Sequence, residues 1–143
     1  MMITAPTPFD LRGNLVQEHH IRPDGMPPVN GYSHVVVFSG RTVAVSGQLP
    51  LDRDGQVVGV DDPEAQITQV FENLVTALAS AGAGMEHVVK LTVYLTDLAD
   101  LPFFRQVRDR YLPVERPPAS SLVQVSALVH PACRVEIDAL AAV

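Results

Sequence analysis

Val88-Val89-Lys90-Leu91-Thr92-Val93-Tyr94-Leu95-Thr96 decides the fold. Val89, Leu91, Val93 and Leu95 alternate with Lys90, Thr92 and Tyr94, the period of two that marks a strand with one apolar face. Immediately upstream the period changes. Ile67, Val70, Phe71, Leu74, Val75 and Leu78 recur at three and four residues, which predicts a helix with one apolar stripe. Asp62 is a good N-cap and Pro63 suits the first helical position, where its missing N–H costs nothing. Ala81-Gly82-Ala83-Gly84 ends the helix.

Working outward, a second helix is expected over about Leu101 to Leu112, with Phe104, Val107 and Tyr111 as its core side. Arg105, Arg108, Asp109 and Arg110 form its charged remainder, and Pro113, Pro117 and Pro118 stop it. Ser121 to Val125 and Cys133 to Val143 read as strands. In the latter, Cys133, Val135, Ile137 and Ala139 alternate with Arg134, Glu136 and Asp138. On the N-terminal side, Val35 to Phe38 and Thr42 to Val45 are β-rich and flank Ser39-Gly40-Arg41, a hairpin turn by composition. Asp54-Gly55 marks a further turn between Leu49 and Val57-Val58. Residues 1–30 carry Pro6, Pro8, Pro23, Pro27 and Pro28 with Gly13 and Gly25, and are expected to form an irregular arm. Residues 31–143 then make one α+β domain of order β-β-α-β-α-β-β, two helices on one face of a mixed sheet.

Composition narrows the function. The chain has 143 residues, 47% hydrophobic and 18% charged, enough for one packed core. Its formal charge of −6 disfavours nucleic acid as a main partner. The single cysteine, Cys133, has no intrachain partner and no Cys/His cluster around it, so it reads as a packing residue and no metal site is expected. His19-His20 offers a metal-binding pair or, more simply, a polar arm. The N-terminal residues lack a basic start and a long apolar run, and no segment has the length to span a bilayer. Cytoplasm is the expected location.

Two one-sided helices can cover only one face of a sheet. The other face would carry Lys90, Thr92, Arg134, Glu136 and Asp138 beside Tyr94, Ala44 and Val123. It is either solvated, as antiparallel sheets permit, or set against another subunit.

Several segments resemble the reactive-intermediate deaminase (Rid, or YjgF-like) family. They are Gly31-Tyr32-Ser33-His34, Val45-Ser46-Gly47-Gln48-Leu49-Pro50, the strand from Val89 to Asp97, Pro118-Ala119-Ser120-Ser121-Leu122-Val123, and Val135-Glu136-Ile137-Asp138-Ala139. The resemblance covers residues 31–143. It implies a chorismate-mutase-like fold, a homotrimer, a small-molecule pocket in each intersubunit cleft, hydrolysis of imines or enamines, and no cofactor. It also implies roles. Tyr32 would close the pocket, Ser46 and Gly47 would line it, and Glu136 would position water. Where the family carries its catalytic arginine this chain has Ser120, and a family cysteine is matched by Leu122. A pocket asparagine of the second helix would correspond to Arg108.

Physical chemistry bears on each of these. A guanidinium grips a carboxylate through two charged bonds, whereas a serine hydroxyl offers one neutral bond. Ordinary 2-iminoacid deamination is therefore expected to be poor. Ser120 has no histidine at a recognisable spacing and is expected to line the site rather than attack. Arg108 is either a replacement anchor or an exposed helix arginine. His34 is either an acid or base at the pocket edge or the partner of a backbone group. Glu136, flanked by Val135 and Ile137, would be costly to bury without a use. Two functions stand open: an imine or enamine hydrolase with altered substrate, and a non-catalytic trimer that binds a metabolite or a protein. A ribonuclease is disfavoured by the acidic charge.

Overall fold

The computed structural model describes residues 17–143, and the prolines and Gly13 of the arm's first sixteen residues lie outside them. The chain runs β1 (Gln17–His20), β2 (Val35–Phe38), β3 (Thr42–Gln48), α1 (Pro63–Ser80), β4 (Val88–Leu95), α2 (Leu101–Tyr111), β5 (Ala119–Gln124) and β6 (Val135–Ala142). Four strands form a mixed sheet in the order β3-β6-β4-β5, with β4 and β5 parallel and the other pairs antiparallel. β1 and β2 pair separately as an antiparallel ribbon. No helix among the described residues is long and apolar enough to cross a membrane.

The central alternation is borne out. Val89, Leu91, Val93 and Leu95 are at most 1% exposed, and Val135, Ile137 and Ala139 of the neighbouring β6 match them. All of these except Val89, which sits at a register shift between Val88 and Lys90, belong to the core cluster beneath α1 and α2. Asp62 caps α1 by accepting from the Ala65 amide at 3.0 Å, and Gly82 follows the helix with φ +73°. Ile67, Val70, Phe71, Leu74 and Leu78 are fully buried, but Val75, expected in the stripe, lies at its margin and is 36% exposed. Gln66 is buried instead. Its Nε2 donates to the Ala132 carbonyl and its Oε1 accepts from the Arg134 amide, so a polar side chain fixes the start of β6 at no cost in unpaired groups.

Three expectations need correction. The arm is not irregular throughout, because Gln17–His20 forms β1. Its anchor is Gln17, only 2% exposed, which donates to the carbonyls of His87 and Ala142. Second, β2 and β3 do not make a hairpin. β2 pairs with β1, and β3 pairs with β6. Arg41 and Val143 exchange both backbone hydrogen bonds at 2.9 Å, and Gly40 at φ +102° passes so near the Val143 carbonyl that a Cβ would stand 2.8 Å from it. Long-range pairing outweighs the local turn composition. Third, Arg108 is not on the solvated side of α2. It is 7% exposed.

α1 and α2 pack through aromatic rings. Phe71 stacks on Phe104 (centroids 6.2 Å apart) and on Tyr111 (5.0 Å). Replacing Phe71 by alanine should cost about 3–5 kcal/mol in chemical denaturation, since it removes a fully buried ring from between two partners. Tyr111 also has an electrostatic tie. Its hydroxyl donates to the Glu72 carboxylate, and burial, then that hydrogen bond, push the phenol from 10 up to about 12. The folded state therefore prefers the protonated phenol. That preference stabilises fully below pH 10 and is lost as pH rises toward about 12. Thermal melts across this window should fall more steeply for the parent than for Tyr111→Phe.

Candidate functional site

α2 presents Leu101, Phe104, Arg105 and Arg108 along one face, the i, i+3, i+4, i+7 spacing of a helical stripe. β5 lies beside them. Ser120 is in register with Leu91 and Leu122 with Val93, both buried, so Ser120 and Leu122 turn toward the helices. The third wall comes from residues 30–33. Ser33 donates from its hydroxyl to the Pro117 carbonyl at 2.6 Å and from its amide to the Pro118 carbonyl at 2.9 Å, which pins Tyr32 beside β5. Together these walls enclose a cavity of about 290 Å³. Four residues expected at the site, Tyr32, Arg108, Ser120 and Leu122, line it, joined by Asn30, Leu101, Phe104 and Arg105.

Arg108 is held in place before any ligand arrives. Its Nη1 donates to the Asn30 carbonyl at 2.9 Å, its Nη2 to Asn30 Oδ1 at 3.0 Å, and its Nε to Asp109 Oδ1 at 2.9 Å. The guanidinium carbon sits 5.7 Å from the centre of the Phe104 ring. Gly31, at φ +70°, passes over the guanidinium. A Cβ there would stand 2.2 Å from Arg108. This is a buried charge with three of its five N–H donors held by fixed partners, which offsets part of what burial of a guanidinium costs.

Glu136 lies on the opposite face of the sheet. Its register partner is Tyr94, and its carboxylate approaches Gly47 so closely that a Cβ on that glycine would stand 2.8 Å from it. Ser46 lies beside Gly47, and both are exposed. Glu136 is partly exposed rather than buried, because Val135 and Ile137 point to the helix side. It has no hydrogen bond or ion pair among the described residues. On the same face the Tyr94 hydroxyl donates to Asp138 Oδ2 at 3.3 Å, and the charge of Asp138 raises the phenol pKa. Within one chain, then, Tyr32, Arg108, Ser120 and Leu122 come together, and Ser46, Gly47 and Glu136 form a second group on the other face.

The remaining candidates resolve simply. The His34 ring nitrogen bonds the Pro27 carbonyl at 2.9 Å and the ring packs edge-on against Tyr32, outside the cavity lining. His19 bonds the Pro117 carbonyl and Gln17 Oε1, while His20 lies 2.6 Å from Glu18. No cluster of three metal-ligating side chains occurs among the described residues. Cys133 is buried, and burial pushes its thiol pKa up, away from nucleophile chemistry. Arg105 and Asn30 were not anticipated at the site. The signal for Arg105 was available: it stands four residues after Leu101 and next to Phe104, in phase with the cavity face.

Comparison with known proteins places the chain in a family and matches its fold. The protein-family model Endoribonuclease L-PSP matches residues 23–143. The protein DfrA of Myxococcus xanthus is 42% identical over 85% of this chain and 92% of its own length. The 3-aminoacrylate deaminase RutC of Acinetobacter baylyi is 39% identical over 85% of this chain and 94% of its own. Among solved structures, a Rid-family protein YyfB of Yersinia pestis superposes with a TM-score of 0.81 at 33% identity, covering 90% of this chain and all of the other.

Gly31→Ala tests the Arg108 clamp. A left-handed backbone costs an L-residue about 1–2 kcal/mol, before the collision with the guanidinium is counted. The variant should lose at least that much stability in denaturant. Arg108→Ala in the same background should then cost less than it does alone, because the clamp is already broken.

Proposed function

The chain belongs to the Endoribonuclease L-PSP family, the Rid/YjgF proteins, and on that footing we propose that it is a cytoplasmic homotrimer that hydrolyses small imines or enamines between its subunits. The observation that carries this reading is the division of the site across the sheet. The donors around Ser120 lie on the helix side, and the unpaired Glu136 lies on a face that neither helix covers. That open face also exposes Val123 (45%) and Leu140 (36%) beside Ala44. A cyclic, head-to-tail assembly sets the α2–β5 edge of one copy against the open face of the next, which unites the two groups and buries the apolar residues.

In such a cleft the chemistry is short. A water held by Glu136 adds to the carbon of the C=N bond while the carboxylate takes its proton. The nitrogen gains a proton, the carbinolamine collapses, and ammonia leaves a ketone or aldehyde behind. An enamine first gains a proton on carbon to become the imine. Nothing in these steps calls for a metal or an organic cofactor. The relative named as a 3-aminoacrylate deaminase supports the enamine class.

Ser120 sets the limit. A hydroxyl in place of a guanidinium gives up charge-assisted bonds worth about 1.5–3 kcal/mol each, so simple 2-iminoacids should turn over poorly. Light scattering should give three times the 15.5 kDa chain mass. Imines generated in situ from a panel of amino acids should release ammonia only slowly, and that turnover should disappear in Glu136→Ala. Turnover indifferent to Glu136, or a monomer in solution, would sink the reading. Ligand-induced thermal shifts with no turnover would instead identify a non-catalytic binder.

A further inference from the structure

The cations of this chain are nearly all spoken for. Of its ten lysines and arginines, nine fall in the described residues, Arg12 being the exception. Seven of the nine have partners. Arg22, Arg41 and Arg116 donate to the Met26 carbonyl, the Ala81 carbonyl and Gln17 Oε1. Lys90 donates to Ser121, Arg110 pairs with Glu64, Arg134 pairs with Asp100, and Arg108 is clamped by Asn30 and Asp109. Only Arg53 and Arg105 have no partner among the described residues. Arg105 lines the cavity at Ser120, whereas Arg53 lines a separate groove beside Asn73.

Asp109, four residues after Arg105, is its natural helical partner, but the Asp109 carboxylate accepts from Arg108 Nε. Two more donors around the cavity are equally uncommitted: the hydroxyls of Tyr32 and Ser120 have no hydrogen bond among the described residues. No aspartate or glutamate lines the cavity, and its apolar walls are Leu101, Phe104 and Leu122. One free guanidinium and two free hydroxyls, around a pocket whose lining from this chain includes no carboxylate, form a donor set for a small anion.

We infer that Arg105 is the anion-holding residue of this cavity, gripping the carboxylate of a small oxo- or imino-acid while Tyr32 and Ser120 supply neutral hydrogen bonds. This deepens the proposed function and rests on its premise that the cavity is the ligand site. The cation reaches the cavity from α2 rather than from the strand that carries Ser120, and its side chain is exposed to solvent. An exposed charge is screened by salt, so acid binding here should be weak and should fall as ionic strength rises.

The test uses the intact protein with pyruvate and its neutral amide, pyruvamide, as probes, followed by NMR or calorimetry at low and high salt. The parent should bind pyruvate more tightly than pyruvamide, and Arg105→Gln should weaken pyruvate about ten- to a hundred-fold while leaving pyruvamide unchanged. Arg53→Gln, which removes the other free cation away from the cavity, should leave both as they were. The inference is overturned if Arg105→Gln binds pyruvate like the parent, if Arg53→Gln does equal damage, or if the parent binds no pyruvate at millimolar concentration. The two proposals fail separately. Arg105-dependent pyruvate binding without imine turnover removes the catalytic reading alone. Glu136-dependent turnover of carboxylate-bearing imines with a KM indifferent to Arg105→Gln removes this inference alone.

Discussion

A guanidinium taken out of water must replace every strong interaction it gives up, and Arg108 shows what that replacement builds. Its three hydrogen bonds reach forward to Asp109 and back to both oxygens of Asn30, 78 positions earlier in the chain. Gly31 passes over it in a left-handed conformation that a side chain would spoil. The segment carrying Tyr32 is thereby tied to α2, and Ser33 ties the same segment to Pro117 and Pro118 just before β5. Three elements distant in sequence are held around one cavity. Asp109 turns one carboxylate oxygen to Arg108, and Arg105 on the preceding turn has no partner among the described residues. One buried charge thus fixes the cavity's shape.

The sheet supplies the second constraint. Alternation along β4 and β6 sends Leu91, Val93, Leu95, Val135 and Ile137 into the core beneath α1 and α2. The opposite face is left with a mixture, Glu136 and Asp138 among Val123, Leu140 and Ala44, which suits neither open water nor a dry core. A face of that kind is stable in solution when its apolar part is covered and its carboxylates keep some access to water. A cleft between copies provides both, which connects the packing logic of a single chain to the proposed assembly.

Local patterns made much of this legible. The N-cap at Asp62, the stripe of α1, the alternation of β4 and the prolines after α2 each depend on neighbours within a few residues, and each element stands where those neighbours indicate. Features that depend on distant partners were not legible. Gln17-Glu18-His19-His20 has no apolar alternation, and it becomes a strand only because β2 is available to pair with it. The turn residues Ser39-Gly40-Arg41 suggest a hairpin, and the competing ladder between β3 and the chain's last strand cannot be read from them. Expecting Glu136 to be buried followed from its apolar neighbours in sequence, although in a strand those neighbours face the other way.

The two arginines of α2 show the same division within the site. The resemblance to known proteins drew attention to Arg108, three residues beyond Arg105 on a helix where both look like ordinary surface charge. Phase along the helix places both on the cavity side, but phase alone does not say which guanidinium is free. That is decided by Asn30 and Gly31, contributed by a loop whose approach no local pattern foretells. An arginine buried with three fixed acceptors is poorly suited to trade them for a ligand, since any ligand would have to repay bonds already made in a place of low dielectric. An exposed arginine with no such bonds gives up only water. Of two like charges on adjacent turns, the buried one therefore serves as framework and the exposed one as the binding group.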